Sequence, residues 1–382
     1  MGASIAYNLA KSGSGTVVLL EKSTISNGAS GVSHGNTPQY YTIEPMARMT
    51  AKSWKFFRDF DMLVENASPV YHRVGMMYAY PERLAPKWEK NVSSQKRYGL
   101  FPSILDSAEI KGVAPEFFQE KFYGACYEED GGFVDSRTAV QGLVEASRTF
   151  GTRLFQHTTV TGLEREKDNI TAVLTERGTI RTPAVICACG AWTRPLLNTA
   201  GMDLPIMNSW AGLCTLKRPD SFKGEHMTLI DYVNFSSVHA QDSHFTDIGI
   251  FEPTIEMYSQ SDLSIDPDDH EDTIPLSKID AFLERGSLYP GLENAAFRGS
   301  YACVSDDSPD YQPIIGEMPG VSGIYVAAGF SGQGFKIAPS VGEVMCDIAL
   351  NKKASAIDVD MLNPSRFQEH KLIKFDPLFD VA

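Results

Sequence analysis

The sequence predicts an α/β fold in which one part, built from buried strands joined through glycine turns to helices, is interleaved with a second part that reads as antiparallel sheet. Three observations carry this. Late in the chain, Ile324–Ala328 is a short apolar run bounded by Gly323 and Gly329; a glycine-rich loop follows, then a helical stripe of Val341, Val344, Met345 and Ile348 between Pro339 and Leu350. At the start, Gly2–Gly13 has helical spacing, with Ile5 and Leu9 on one face, and Thr16–Glu21 follows as a buried strand ending in an acid. Between these ends, residues 204 to 290 are rich in strand-forming runs, at Trp210–Leu216 and Ile248–Met257. A chain of 382 residues can hold two such parts around a sizeable core.

The first helix and strand match part of a dinucleotide-binding fingerprint. That fingerprint is G-x-G-x-x-G opening a helix, with an acid about twenty positions on that accepts hydrogen bonds from the ribose. Gly2 and Glu21 stand at the third glycine and the acid; the first strand and first two glycines do not appear. Ser26–Asn36 is a loop of small residues. Ile43–Val64 reads as helical, with Met46, Met49, Trp54, Phe57 and Phe60 as a core stripe. Val74–Tyr80 begins the antiparallel sheet, and Leu105–Pro115 contains a short helix capped by Asp106. Gly131–Arg137 returns to the nucleotide part, where Asp135 caps a helix to about Phe150, carrying Val140, Leu143 and Val144 inward. Thr152–Glu164 reads as two strands, and residues 170–175 and 179–182 as a hairpin about Arg177-Gly178. Ala184–Trp192 is a buried strand ending in a glycine turn, with Cys187 and Cys189 expected as small core residues on one side. The acidic stretch Ser259–Asp272 is expected at the surface.

Composition narrows the function. A net charge of −14 with no basic run excludes nucleic acid and anionic membrane as partners. No apolar run approaches the length of a bilayer span, so a soluble protein is expected. The six cysteines lack zinc spacing, and His157, His226, His239, His244 and His270 are isolated, so no metal is expected. The chain has no G-x-S-x-G elbow, which disfavours a serine hydrolase.

The remaining motifs lie together near the carboxyl end. Asp307-Ser-Pro-Asp-Tyr-Gln-Pro-Ile-Ile-Gly316 is a turn feeding an apolar strand, Cys303 stands seven residues before Asp310, and Gly329-Phe-Ser-Gly-Gln-Gly-Phe-Lys336 is the glycine loop. With these residues the sequence resembles the FAD-dependent amine and amino-acid oxidoreductases of the D-amino-acid oxidase superfamily, closest to the branch of monomeric sarcosine oxidase and pipecolate oxidase. The resemblance implies a Rossmann-like FAD-binding domain from residues 1–70, 131–203 and 300–382, interleaved with an antiparallel-sheet substrate domain from 71–130 and 204–299. It implies that Gly2, Glu21, Lys22, Ser30, His34, Val160, Gly190 and Trp192 line the cofactor. The backbone N–H groups of Gly332, Gln333, Gly334 and Phe335 are then expected at the pyrimidine end of the flavin. Lys336 is expected to face flavin and substrate carboxylate, and Cys303 to be a thiolate joined covalently to the flavin.

Several positions depart from that pattern. Pro38 and Tyr41 stand where the branch has arginines that clamp the substrate carboxylate, with Arg48 the nearest substitute. Ile265–Asp268 resembles a segment just after an oxygen-activating lysine, whose own position falls here on Ile255 or Glu256. The fingerprint that is incomplete at Gly2 has two readings: a sequence that begins late, or a relative that no longer binds FAD. The persistence of cofactor features elsewhere favours the first. The expected activity is oxidation of the C–N bond of a small secondary amine or amino acid, sarcosine-, pipecolate- or D-amino-acid-like, by hydride transfer to flavin N5. Oxygen or an electron-acceptor protein would take the electrons. The alternatives are a catalytically weak assembly factor and an electron-transferring dehydrogenase subunit. A cytoplasmic location is expected, or a mitochondrial one if a leader precedes Met1.

Overall fold

A computed structural model describes residues 1–251, 265–351, 353–354 and 357–374. The chain opens with α1 (Gly2–Ser12), β1 (Val18–Leu20), α2 (Glu44–Arg58), α3 (Phe60–Leu63), β2 (Tyr71–Arg73), β3 (Met76–Tyr80) and α4 (Ala85–Gln95). Next come β4 (Ser103–Asp106), α5 (Ser107–Val113), β5 (Gly124–Glu128), β6 (Gly132–Val134), α6 (Ser136–Thr149) and β7 (Arg153–Phe155). A meander of β8 (Val160–Glu166), β9 (Asn169–Thr175) and β10 (Gly178–Arg181) leads to β11 (Val185–Cys187) and α7 (Thr193–Asn198). Then follow β12 (Met207–Lys217), β13 (Thr228–Asp231), β14 (Ser236–Ala240), β15 (Phe245–Ile250), α8 (Leu276–Ser287) and β16 (Ala296–Asp307). The last elements are β17 (Ile314–Glu317), β18 (Ile324–Ala328), α9 (Gly334–Asn351) and α10 (Ser365–Gln368). None of the described helices is long and apolar enough to cross a membrane.

Local chemistry fixes several termini. At α5 the Asp106 carboxylate accepts the Glu109 N–H at 2.8 Å while the Glu109 carboxylate accepts the Asp106 N–H at 2.9 Å, a reciprocal cap. At α6, Asp135 accepts the Thr138 N–H at 3.0 Å. Helix α9 begins at Gly334, five residues before the expected start, and Pro339 lies inside it. The ring removes one intrahelical bond there, and α2 supports the same turn: Ser53 Oγ accepts the Ser340 N–H at 3.2 Å, and Ser340 Oγ donates to the Met49 carbonyl at 2.9 Å.

An eight-stranded sheet, in the order β16-β12-β15-β14-β13-β3-β5-β4, organises the second half of the fold. Side chains alternate across each strand, so the register assigns every residue to a face. One face carries Met77, Ala79, Ala125, Cys214, Leu229, Val238 and Ile248, which pack against Ile110 of α5 and Ile279 and Phe282 of α8. The opposite face carries Tyr78, Cys126 and Glu128 at one side, and His239, Asp247, Thr215, Tyr301 and Cys303 at the other. The expected domain boundary at residue 300 falls inside β16, which pairs with β12 from Ala296 to Asp307. Cys303 therefore belongs to this sheet, because the backbone ladder continues unbroken past it.

The nucleotide-type part is built from parallel pairs, β1 with β7 and β11 with β18, the latter extended by antiparallel β17. Among the described residues, β1 has no partner opposite β7, and β11 has none opposite β18. Gly2 lies at this gap: a Cβ on it would sit 3.7 Å from Leu19 Cδ1 and 3.9 Å from Ala188 Cβ. Helix α1 crosses α9 at Gly342, where a Cβ would stand 2.2 Å from Ser4 Oγ and 2.7 Å from the Ser4 carbonyl. Cys187 is buried, but Cys189 is exposed, since β11 ends at Cys187 and the alternation stops with it.

Candidate active site

The glycine loop is held from beneath by the end of β16. The Asp306 carboxylate accepts the Gly329 N–H at 2.7 Å, the Asp306 carbonyl accepts the Ser331 N–H at 2.9 Å, and Ser331 Oγ accepts the Ser308 N–H at 3.1 Å. This pinning stabilises a backbone with positive φ at Gly329, Ser331 and Gly332 (63°, 50° and 76°), a conformation that costs a non-glycine residue such as Ser331 of order 1 kcal/mol or more. The Gln333 amide donates to the Tyr311 carbonyl at 3.0 Å, and the next residue starts α9. The first-turn N–H groups of Gly334, Phe335 and Lys336 therefore lead a helix of 18 residues, where the positive end of the dipole collects. The Phe335 ring turns away and stacks on Phe57 of α2 at 5.3 Å, so its contribution to the loop is its backbone.

Lys336 is buried, and burial lowers its pKa to about 8 against the opposing pull of Glu128. Glu128, at the end of β5, is buried too. Both of its oxygens accept the Gln39 N–H at 3.0 Å, and Tyr78 donates to it at 3.4 Å. Burial raises this carboxyl to about 8, with the backbone N–H groups and Lys336 opposing. A cation from α9 thus meets an acid from the polar face of the large sheet.

A second group occupies the middle of that face. Asp247 accepts from Thr215 at 2.6 Å and from Tyr301 at 2.8 Å, and His34 Nε2 stands 3.3 Å from its Oδ2, with the ring N–H off the direct line. Burial pushes the Asp247 carboxyl up, but these partners outweigh it and hold it below the ordinary carboxylate range. The His34 ring stacks on His239 at 3.7 Å and 27°. His239 is buried, and burial together with His34, His226 and Lys336 pushes it well below the ordinary histidine range. Cys303 is half-buried two residues along from Tyr301; burial, then Asp307 and Asp306, raise its thiol to about 11.

The other expected residues gather at the β1 end. Glu21 follows β1, with Oε1 accepting the Ser23 N–H at 2.8 Å. Lys22 is ion-paired with Asp268 and lies 4.0 Å over the Trp192 ring, whose Nε1 donates to Asp268 at 3.0 Å. Gly190 has φ of 53° and opens the turn to Trp192 and α7; Val160 is the first residue of β8. Ser30 is half-buried in a tight turn, Ala29–Val32. The structure thus brings His34, Cys303 and Lys336 to one face, and Gly2, Glu21, Lys22, Gly190 and Trp192 to another region. Arg48 does not join them: it is exposed on α2 and paired with Glu44. Ile255 and Glu256, the positions expected for the oxygen-activating charge, lie outside the described residues.

Glu128, Asp247, Tyr301 and Thr215 escaped the sequence reading as site residues, and His239 was named only as an isolated histidine. The usable signal was one titratable residue inside each of two strand-like runs, His239 between Val238 and Ala240 in β14 and Asp247 ahead of Ile248 in β15.

The residues present fit FAD. A Cβ on Gly28, Gly190 or Gly332 would meet no atom within 4 Å, leaving backbone open to close approach. Asn36 Oδ1, Gln39 Nε2 and Gln333 Oε1 are buried without hydrogen-bond partners, the condition in which a bound polar group is expected. The start of α9 is a ready anion site.

Comparison with known proteins agrees. The chain is 25% identical to 4-methylaminobutanoate oxidase (formaldehyde-forming) of Paenarthrobacter nicotinovorans, over 97% of this chain and 45% of that protein, so it spans less than half of that relative. It is 24% identical to monomeric sarcosine oxidase of a Bacillus species, over 92% of this chain and 90% of that one. The crystal structure of L-proline dehydrogenase from P. horikoshii superposes with a TM-score of 0.83 at 22% identity, covering 97% of this chain and 96% of that one, which shows the fold. The family description "DAO: FAD dependent oxidoreductase" matches residues 1–348, and the chain belongs to this family of FAD-dependent oxidoreductases.

Proposed function

We propose that the protein oxidises the C–N bond of a small secondary amine or amino acid, of the sarcosine, pipecolate or D-amino-acid kind. The observation that carries this reading is Lys336, buried at the first turn of α9 beyond the glycine loop and set against the acid-bearing face of the large sheet. Bound FAD supplies the chemistry, taking a hydride equivalent from the carbon next to nitrogen. The backbone N–H groups of Gly332 to Phe335 stabilise negative charge that develops at the cofactor; fixed donors of this kind are commonly worth about 3 kcal/mol at a transition state. Lys336 holds the substrate carboxylate while it remains an ammonium, below about pH 8. Glu128, itself raised to about 8, keeps its proton over the same range and so leaves the positive charge to the substrate carboxylate. Cys303 is the residue for covalent attachment, with its thiol requiring deprotonation first. Glu21, Lys22, Gly190 and Trp192 line the nucleotide end, with Val160 at the adenine. The FAD-binding part then comprises residues 1–70, 131–203 and 308–382, and the substrate sheet 71–130 and 204–307, with the division moved to the end of β16.

The test is anaerobic titration of the protein, purified with excess FAD, against a panel of N-methyl, cyclic and D-amino acids. Bleaching of the flavin band by at least one of them is expected. Bound flavin that no member of the panel reduces would remove the proposed reaction. The rate of colour return in air separates oxygen from a protein as the electron acceptor.

A further inference from the structure

The loop Ser26–Asn36 and the polar face of the sheet meet at one residue pair whose chemistry the reaction above leaves unused. Asp247 sits on β15, and its two oxygens are fixed by hydroxyl donors from the next two strands along the sheet, Thr215 on adjacent β12 and Tyr301 on β16 beyond it. A carboxylate held this way cannot rotate to follow a partner. His34 reaches it from the loop with Nε2, at 3.3 Å from Oδ2, and His239 of β14 lies flat beneath the same ring at 3.7 Å. Stacking fixes the plane of the imidazole, and the carboxylate lies 3.3 Å from Nε2 without a well-directed hydrogen bond, near enough to favour a proton on that nitrogen. The arrangement leaves Nδ1 as the ring nitrogen available to a bound molecule.

We propose that Asp247 is a positioning residue for His34, holding the imidazole as the Nε2–H tautomer so that Nδ1 accepts the proton of a substrate ammonium bound over the polar face. This rests on the amine-oxidation reading. The step is a single proton transfer: the substrate N–H bond breaks, an N–H bond forms at Nδ1, and the amine keeps the lone pair it needs before its neighbouring C–H bond can yield two electrons. The positive charge moves to the His34 ring, where the fixed carboxylate compensates it, as a buried carboxylate orients and stabilises an imidazolium.

The neighbouring titratable groups leave this role to His34. Asp247 is held below the ordinary carboxylate range and stays ionised at neutral pH. Burial, followed by Asp247 itself, pushes the Tyr301 hydroxyl far up, so it donates and does not ionise. His239 is held neutral by burial, by His34 and His226, and by the Lys336 ammonium. His34 is therefore the base that Asp247 can serve.

The experiment uses the full chain with FAD bound and histidine labelled with nitrogen-15, the His34 signals being assigned by their loss in His34→Gln. In the unsubstituted protein the Nε2 resonance should be that of a protonated nitrogen and the Nδ1 resonance that of a bare one. In Asp247→Asn the two should move toward each other as the tautomers mix. Anaerobic stopped flow with the best amine of the panel should show the limiting rate of flavin reduction falling at least tenfold in Asp247→Asn, with half-saturation changed less than threefold and Asp247→Glu recovering part of the rate. A proton on Nδ1 of His34 in the unsubstituted protein overturns the proposal, and that measurement decides it even if Asp247→Asn does not fold. So does an Asp247→Asn protein whose tautomer and rate both stay within twofold of the original. If no amine reduces the flavin but the tautomer depends on Asp247, the positioning is upheld and the amine-oxidation reading is what fails.

Discussion

Replacing Arg366 by alanine should destabilise the protein by about 3–5 kcal/mol, the range for removing one partner of a buried ion pair. Arg366 and Asp310 are 4% and 1% exposed, so neither charge has water to fall back on. Two parallel bonds of 2.9 Å join the guanidinium to the carboxylate, and the same guanidinium donates to the carbonyls of Leu362 at 2.7 Å and Gln312 at 2.8 Å. Without Arg366 the carboxylate keeps only Ser308 Oγ at 3.1 Å, the Ile373 N–H at 3.1 Å and the Gln312 N–H at 3.3 Å. The effect should reach the site, since Ser308 also binds Ser331 in the glycine loop. Urea unfolding at pH 7 measures the loss, and retention of flavin through gel filtration measures the second effect. A double variant, Arg366→Met with Asp310→Asn, removes both charges and should recover part of the loss. The pH dependence has a definite sign. Burial raises the Asp310 carboxyl, but Arg366 outweighs it and holds it below its ordinary value, so this contribution is present above the unfolded value near 4 and fades as pH falls through the folded one. A loss under 1 kcal/mol in Arg366→Ala, or a double variant no more stable than the single, would refute the reasoning.

Three further outcomes are expected. Glu128 is raised to about 8, so between pH 4.5 and 8 the folded state holds a proton that the unfolded state releases, and stability should fall as pH rises across that window; urea midpoints of Glu128→Gln should lack this slope. Gly342→Ala places a Cβ 2.7 Å from the Ser4 carbonyl and should cost about 1–3 kcal/mol, with Ser4→Ala giving only partial relief because the backbone oxygen remains; calorimetry of the three variants checks it. With its thiol raised to about 11, Cys303 should resist alkylation at pH 7.5 in flavin-free protein and react as pH approaches that value, followed by mass spectrometry of the peptide.

Legibility followed the range of the interaction. Caps at Asp106 and Asp135, the strand Ile324–Ala328 and the glycine loop were readable because each depends on neighbours within a few residues. Helix α9 was read five residues short because Pro339 looks like a first-turn residue, and the Ser53 and Met49 contacts that support it there come from a helix almost three hundred positions away. That residue 300 falls inside a strand was hidden for a similar reason: the pairing of β16 with β12 joins segments about ninety residues apart. Lys336 could be named through its motif, whereas Glu128, the acid whose field it feels, could not, since the two come near only once β5 is laid into the large sheet. His34 could be named alone, but its stacking partner and its carboxylate arrive from two different strands, and no spacing along the chain foretells that meeting.

The pleat of the large sheet has a consequence for how such a protein can change. Replacing odd-numbered residues such as Ser209, Ala211, Leu213 or Ser237 alters what a ligand meets while the oily layer under α5 and α8 is untouched. Inserting or deleting one residue in β12 or β14 would instead exchange the two layers from that point on, turning carboxylates into the oil and aliphatic groups toward the ligand. Variation in substrate choice within this architecture should accordingly accumulate as point replacements at alternate positions, with strand lengths held fixed.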